Sequence, residues 1–130
     1  MTYRLVAVLL LALVAPAGAG HPLPPSVPTI DAETLKRLLD EGMRPVSIDL
    51  RSPEDHRGGR IPGARSVPLE ELRRRWMEVP RQRVVVLYCA CPSQTIDVAY
   101  YFLRRQGYEE VFVLKDGLEA WTARGYPLER

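Results

Sequence analysis

Apolar and polar positions fall into alternating blocks along this chain. Between Ala32 and Glu41, Leu35, Leu38 and Leu39 share one helical face, with Asp31 placed to cap the start and Gly42 to end it. Pro45 to Leu50 predicts a short strand that runs into a polar loop from Arg51 to Gly59. From Pro68 to Met77, Leu69, Leu72 and Trp76 recur at helical spacing. Val84-Val85-Val86-Leu87-Tyr88 is a continuous, mostly β-branched run, the mark of a strand buried on both faces. A long apolar helix follows from Ile96 to Gln106, closed by Gly107. Val111 to Leu114 predicts another buried strand, and Leu118 to Ala123 a last helix before Gly125. Strands separated by helices of this length imply βαβ units and a mainly parallel sheet covered on both sides. In such sheets ligands bind beyond the carboxyl ends of the strands.

The first 28 residues follow other rules. Leu5 to Ala15 is an unbroken apolar run behind Arg4, followed by Pro16-Ala17-Gly18-Ala19-Gly20. Eleven apolar residues fall well short of the about twenty that span a bilayer. The run fits the core of a secretory signal over residues 1–19, with the small residues as its cleavage site; an uncleaved anchor is the rival reading. Export to a periplasmic or extracellular location is therefore expected. Residues 20–28 hold four prolines and predict an extended linker without packed structure. The folded domain is expected from residue 29 to 130.

Composition narrows the function classes. With 46% hydrophobic and 26% charged residues in 130, one ordinary globular domain is expected. A net charge of +2 supplies no electrostatic footprint for nucleic acid. No spacing of His, Cys, Asp or Glu suggests a resident metal or cofactor. Two cysteines cannot build a disulfide scaffold.

Their position is more informative. Cys89 directly follows the most apolar strand and opens the turn Cys89-Ala90-Cys91-Pro92-Ser93-Gln94-Thr95 ahead of a helix. A turn wrapped around the sulfur would aim backbone N–H groups and a helix N-terminus at it, which favours the thiolate over the thiol. That is nucleophile activation without a histidine base. Cys91 reads equally as a lining residue or a redox partner, either resolving a Cys89 adduct or closing a Cys-x-Cys disulfide. Asp49 and Arg51 suit an ion pair that fixes a loop, while Arg51 and Arg65 are candidates to draw an anion to the site. Asp55 and His56 are read as polar loop residues, Arg73 to Arg75 as a solvated face or the rim of a partner surface, and Trp121 as core.

Four segments together resemble a known family. Ile48-Asp49-Leu50-Arg51, Gly59-Arg60-Ile61-Pro62-Gly63-Ala64, Val86-Leu87-Tyr88-Cys89 and Leu114-Lys115-Asp116-Gly117-Leu118-Glu119-Ala120-Trp121 occur in the order and spacing of single-domain rhodaneses. The resemblance implies an α/β fold, a five-stranded parallel sheet flanked by helices on both faces. It also implies sulfur transfer from a thiosulfate-type donor to a thiol or cyanide acceptor, with Cys89 carrying the sulfur as a persulfide. The site departs from the family pattern where Pro92 replaces a glycine and Gln94 an arginine, removing one N–H donor and one cation. Two other functions stay in view: a thiol–disulfide redox protein using Cys89 and Cys91, and a non-catalytic binding module on the same scaffold. A phosphatase of this fold needs a loop arginine, and Cys89 to Thr95 contains none.

Overall fold

The computed structural model describes Pro24 and residues 26–130, so the expected signal sequence lies outside the described residues. Five strands form one parallel sheet: β1 (Thr29–Ile30), β2 (Val46–Asp49), β3 (Arg65–Ser66), β4 (Val85–Tyr88) and β5 (Val111–Leu114). Their spatial order is β1-β5-β4-β2-β3, which puts β4 at the centre. In register, Ile48 lies opposite Leu87 and Asp49 opposite Tyr88. The helices are α1 (Ala32–Asp40), α2 (Pro53–Gly58), α3 (Leu72–Arg75), α4 (Ser93–Arg105) and α5 (Gly117–Ala123).

Successive side chains of the central strand alternate between two cores, as the two-residue period of a strand requires. Val85 and Leu87 join Val46, Ile48, Val111 and Val113 under the α4 residues Ile96, Ala99, Tyr100 and Leu103. Val86 and Tyr88 face the other way, toward Leu35, Ile61, Leu114 and Trp121, where α1 and α5 pack. A sheet covered on both faces explains why β4 reads as an uninterrupted apolar run. Trp121 is fully buried, as expected of core, and its indole Nε1 donates to the carbonyl of Pro127 at 2.9 Å.

The sequence pattern and the structure part company at several elements. Asp31 caps α1 by accepting from the Thr34 amide at 2.7 Å, but the segment expected as one helix over Pro68–Met77 is broken. It runs as a 3-10 turn at Leu69–Glu71, one turn of α-helix in α3, and a second 3-10 turn at Trp76–Glu78. The Tyr108 hydroxyl lies 2.6 and 2.7 Å from the carbonyl oxygens of Val79 and Trp76, drawing the end of this segment onto the core. Tertiary pull thus overrides helical spacing. The expected polar loop at Arg51–Gly59 contains α2, whose cap is Ser52 accepting from Asp55 N at 3.1 Å, with Pro53 in the first turn. Helix α4 opens at Ser93, three residues before the expected Ile96.

The described part of the proline-rich stretch is docked, contrary to the expectation of an unpacked linker. Val27 packs against the core, the Pro28 carbonyl accepts from Val113 N at 3.0 Å, and the Pro24 carbonyl from the Tyr101 hydroxyl at 3.4 Å. Proline loses its donor but keeps its acceptor, which suffices at a sheet edge.

Candidate active site

Strand β4 ends at Tyr88, and Cys89 is the next residue, at the carboxyl end of the central strand and half-buried. It opens into a cleft of about 910 Å³ whose wall also includes Arg51, Ala90, Cys91, Ser93, Asp97 and the turn Lys115-Asp116-Gly117. This is where a parallel sheet accepts ligands, beyond the strand ends. Cys91 lines the same cleft, and its sulfur is bonded to that of Cys89, with 5.3 Å between the Cα atoms. The structure therefore holds the oxidised pair.

The residues of the turn separate. Pro92 stands at the N-cap of α4 and makes no side-chain cap. Its carbonyl accepts from Thr95 N at 2.9 Å, while the amides of Ser93 and Gln94, as the first of the helix, have no acceptor within it. These donors carry the positive end of the helix dipole at the end of α4 that follows the cysteine turn. The side chains of Gln94 and Thr95 border a different groove, between α4 and the Leu69–Arg73 segment, rather than the cleft of Cys89.

Gly117 explains one of the sequence motifs physically. It adopts φ +60°, directly after Asp116 at φ 58°, and this left-handed pair turns β5 into α5 beneath the cysteine turn. A Cβ on Gly117 would lie 3.0 Å from the Cys89 carbonyl oxygen. Gly117→Ala therefore meets both backbone strain and a clash against main chain. The expected cost is about 1–3 kcal/mol of stability, read as a lowered urea midpoint, with the Cys89 turn displaced. An unchanged midpoint would show that the close approach is not restrictive.

Arg51 reaches the cleft from the end of β2 but is held from behind. Its Nε and Nη2 donate to the two carboxylate oxygens of Asp49 at 3.0 and 2.8 Å, and Nη2 also to the Gly59 carbonyl at 2.7 Å. Asp49 is fully buried. The Tyr88 hydroxyl donates to its Oδ2 at 3.1 Å, and His56 Nδ1 lies 3.0 Å from the same atom. Burial pushes the Asp49 carboxyl up, but the hydrogen bonds from Arg51 and His56 outweigh it and hold the group below its ordinary value. Burial, reinforced by the neighbouring Asp49 carboxylate, raises the Tyr88 phenol well above its usual range. Ile61 N donates to the Tyr88 oxygen at 3.3 Å, so the network ties β2, β4 and the Ile61-Pro62-Gly63-Ala64 segment together.

His56 thus belongs to this network rather than to a free polar loop, because α2 carries it back over Asp49. The Ser52-Pro53-Glu54-Asp55 cap was the available signal. Arg65 sits elsewhere: it is exposed on β3, in register with Ile48, and is not among the residues lining the cleft. Of the Arg73–Arg75 run, Arg73 and Arg74 are exposed, Arg74 pairing with Glu71 at 3.0 Å, while the half-buried Arg75 pairs with Glu71 at 2.8 Å and Glu78 at 2.7 Å. The cleft wall brings in charges that spacing did not reveal. Asp97, Asp116 and Glu119 face it together with Lys115.

Among the described residues, no three His, Cys, Asp or Glu side chains gather as a metal-binding group, and no helix is long and apolar enough to cross a membrane.

Comparison with known proteins agrees with this architecture. A model of the rhodanese-like domain matches residues 31–124. A sulfurtransferase of Allochromatium vinosum is 33% identical over 99 residues, covering 76% of this chain and 92% of that protein. A thiosulfate sulfurtransferase of Pseudoalteromonas translucida is 28% identical over 92 residues, 71% of this chain and 85% of the relative. Among solved structures, the crystal structure of the Alr3790 protein from Anabaena superposes with a TM-score of 0.69 at 33% identity, covering 77% of this chain and 81% of that one.

Proposed function

The chain belongs to the rhodanese-like domain family, and from that premise we propose that it is an exported sulfurtransferase that carries sulfane sulfur as a persulfide on Cys89. The observation that carries the reading is the position of Cys89, at the carboxyl end of the central strand, open to the cleft and in the turn that leads into α4. The Cys89 thiolate attacks the outer sulfur of a thiosulfate-type donor, and sulfite leaves. A thiol or cyanide then removes the sulfur from the persulfide. The amides of the turn stabilise negative charge on the sulfur, the role an oxyanion hole plays for oxygen. Because a disulfide sulfur is no nucleophile, turnover begins only after the Cys89–Cys91 bond is reduced. The test is thiocyanate formation from thiosulfate and cyanide by the reduced protein; absence of thiocyanate, of any sulfur adduct and of sulfite release together would reject the reading.

Export rests on Leu5–Ala15 and its small-residue exit, with processing near Ala19 or Gly20. An oxidised Cys pair suits such a compartment. N-terminal sequencing of the protein from its native cell checks this, and a retained Met1 would contradict it.

The cleft's charges bear on the donor. Asp97, Asp116 and Glu119 oppose an anion, while Arg51 is neutralised by Asp49 and Lys115 stands alone. Thiosulfate therefore approaches against a net repulsion. An Asp97→Asn/Glu119→Gln double variant is expected to raise kcat/KM for thiosulfate roughly fivefold at low salt, with the gain shrinking as ionic strength rises. Equal kcat/KM for variant and parent would show that these carboxylates do not shape donor choice.

The disulfide itself favours a second reading, thiol–disulfide exchange through Cys89 and Cys91. In that case reduction of a substrate disulfide disappears in Cys91→Ser; exchange that persists in the variant excludes it.

A further inference from the structure

Sulfur transfer through Cys89 leaves Cys91 without a part, yet the structure places it where a part exists. One residue separates the two cysteines, their Cα atoms are 5.3 Å apart, both side chains wall the same cleft, and their sulfurs are bonded to each other. Cys91 Sγ therefore reaches Cys89 Sγ itself, the inner sulfur of any persulfide formed there. Resting on the sulfur-transfer reading above, we infer that Cys91 is a second reacting group that discharges the Cys89 persulfide as hydrosulfide, so that with a dithiol reductant the protein releases sulfide from its donor.

The chemistry closes without a further co-reactant. In the first half, the Cys89 thiolate attacks the outer sulfur of thiosulfate; the S–S bond of the donor breaks, sulfite departs with the electron pair, and a new S–S bond forms on Cys89. In the second half, the Cys91 thiolate attacks Cys89 Sγ. The bond from Sγ to the sulfane sulfur breaks, and that sulfur leaves with the pair and the proton given up by Cys91, as HS⁻. The bond that forms is the Cys89–Cys91 bond of the structure. The sulfane sulfur gains two electrons and each cysteine sulfur loses one. An external dithiol then returns two electrons and two protons, restoring both thiols.

Three features favour this route over waiting for an outside acceptor. The attacking sulfur is held beside its target, so the step is intramolecular and gains the rate advantage of proximity. Cys91 lies two residues ahead of α4, and the same first amides that favour a Cys89 thiolate favour its own. Hydrosulfide is the conjugate base of a stronger acid than an alkyl thiol, and such sulfur leaves faster. The departures of the turn from its family also fit. A cradle short of the Pro92 amide holds a persulfide less firmly, which suits a site that passes the sulfur on at once.

The experiment reads a single turnover. The full chain is reduced, freed of reductant under anaerobic conditions and mixed with thiosulfate. Sulfite and sulfide should appear in equal amounts, one of each per chain, at a rate independent of protein concentration, and the protein should end two hydrogens lighter with no added sulfur. Cys91→Ser, with Cys91→Ala as a second variant, should release sulfite but no sulfide and keep one sulfur on Cys89. A wild-type protein that retains the sulfur and releases no sulfide would overturn the inference while leaving sulfur transfer intact. So would variants that release sulfide at the wild-type rate. Failure of every form to take up sulfur would instead remove the reading on which the inference rests.

Discussion

Replacing Cys89 with serine is expected to lower thiocyanate formation at least about a thousandfold, because the sulfur that attacks the donor and carries the covalent intermediate is removed. A serine hydroxyl at the same place keeps the shape of the turn, since Cys89 is only half-buried. It does not ionise near neutrality, and an oxygen–sulfur adduct would not continue the transfer. The comparison must be made with both proteins fully reduced, because the parent begins as the Cys89–Cys91 disulfide. Under those conditions a Cys89→Ser protein with a normal urea midpoint and full activity would place the chemistry on another residue.

The second large effect concerns stability. Asp49→Ala is expected to cost about 3–5 kcal/mol, the range for breaking a buried ion pair from one side. Asp49 is fully buried and is the shared acceptor for Arg51, His56 and Tyr88. Its loss leaves a nearly buried guanidinium and a buried phenol without their partner. Against a total stability of about 5–15 kcal/mol, that loss approaches the limit of folding. The effect should also depend on pH in a defined direction. Arg51 and His56 hold the carboxyl below its ordinary 3.8 in spite of burial, so the folded chain keeps it ionised where the unfolded chain takes up a proton. Its contribution is complete above that value and is lost as the pH falls through and below it. Urea unfolding of wild type between neutrality and pH 2 should show this decline, and an Asp49→Asn protein should show less of it. Parallel acid profiles for the two would mean that the ion pair adds nothing at neutral pH.

The fold was legible where burial imposes a pattern. Val85 to Tyr88 must satisfy two cores at once, and a strand with that obligation has no room for polar side chains. Helix α1 announces itself through Asp31 and Gly42, and α5 through the stretch from Leu118 to Ala123 before Gly125. What stayed hidden is structure that buries little. Strands β1 and β3 are two residues each at the sheet edges, too short to show any period. Helix α2 has no fully buried residue, and only its Ser52 cap and Pro53 betray it. The apolar pattern starts α4 only at Ile96, whereas backbone geometry begins the helix at Ser93 with Pro92 as its boundary.

The site divides in the same way. Cys89 at the end of the most apolar strand follows from local order along the chain, and so does the pairing of Asp49 with Arg51. The remaining members come together only through the sheet. Gly117 lies 28 positions from Cys89, yet its missing side chain is what admits the Cys89 carbonyl. Asp97 and Glu119 are unremarkable helix residues until α4 and α5 are set on either side of one cleft. Arg65, expected with Arg51 to draw an anion, belongs to an edge strand and does not line the cleft. His56 is bound to Asp49 across seven positions that only the α2 turn could close.

Uptake of sulfane sulfur by Cys89 is isolated in a reduced Cys91→Ser protein, where no second thiol can discharge the adduct. That protein is incubated with thiosulfate, or in parallel with a small-molecule persulfide, and examined by intact mass and peptide mapping. The expected result is a gain of one sulfur, confined to the peptide that contains Cys89 and removed by cyanide as thiocyanate. A folded protein that gains no sulfur from either donor, or gains it on any other residue, would contradict it.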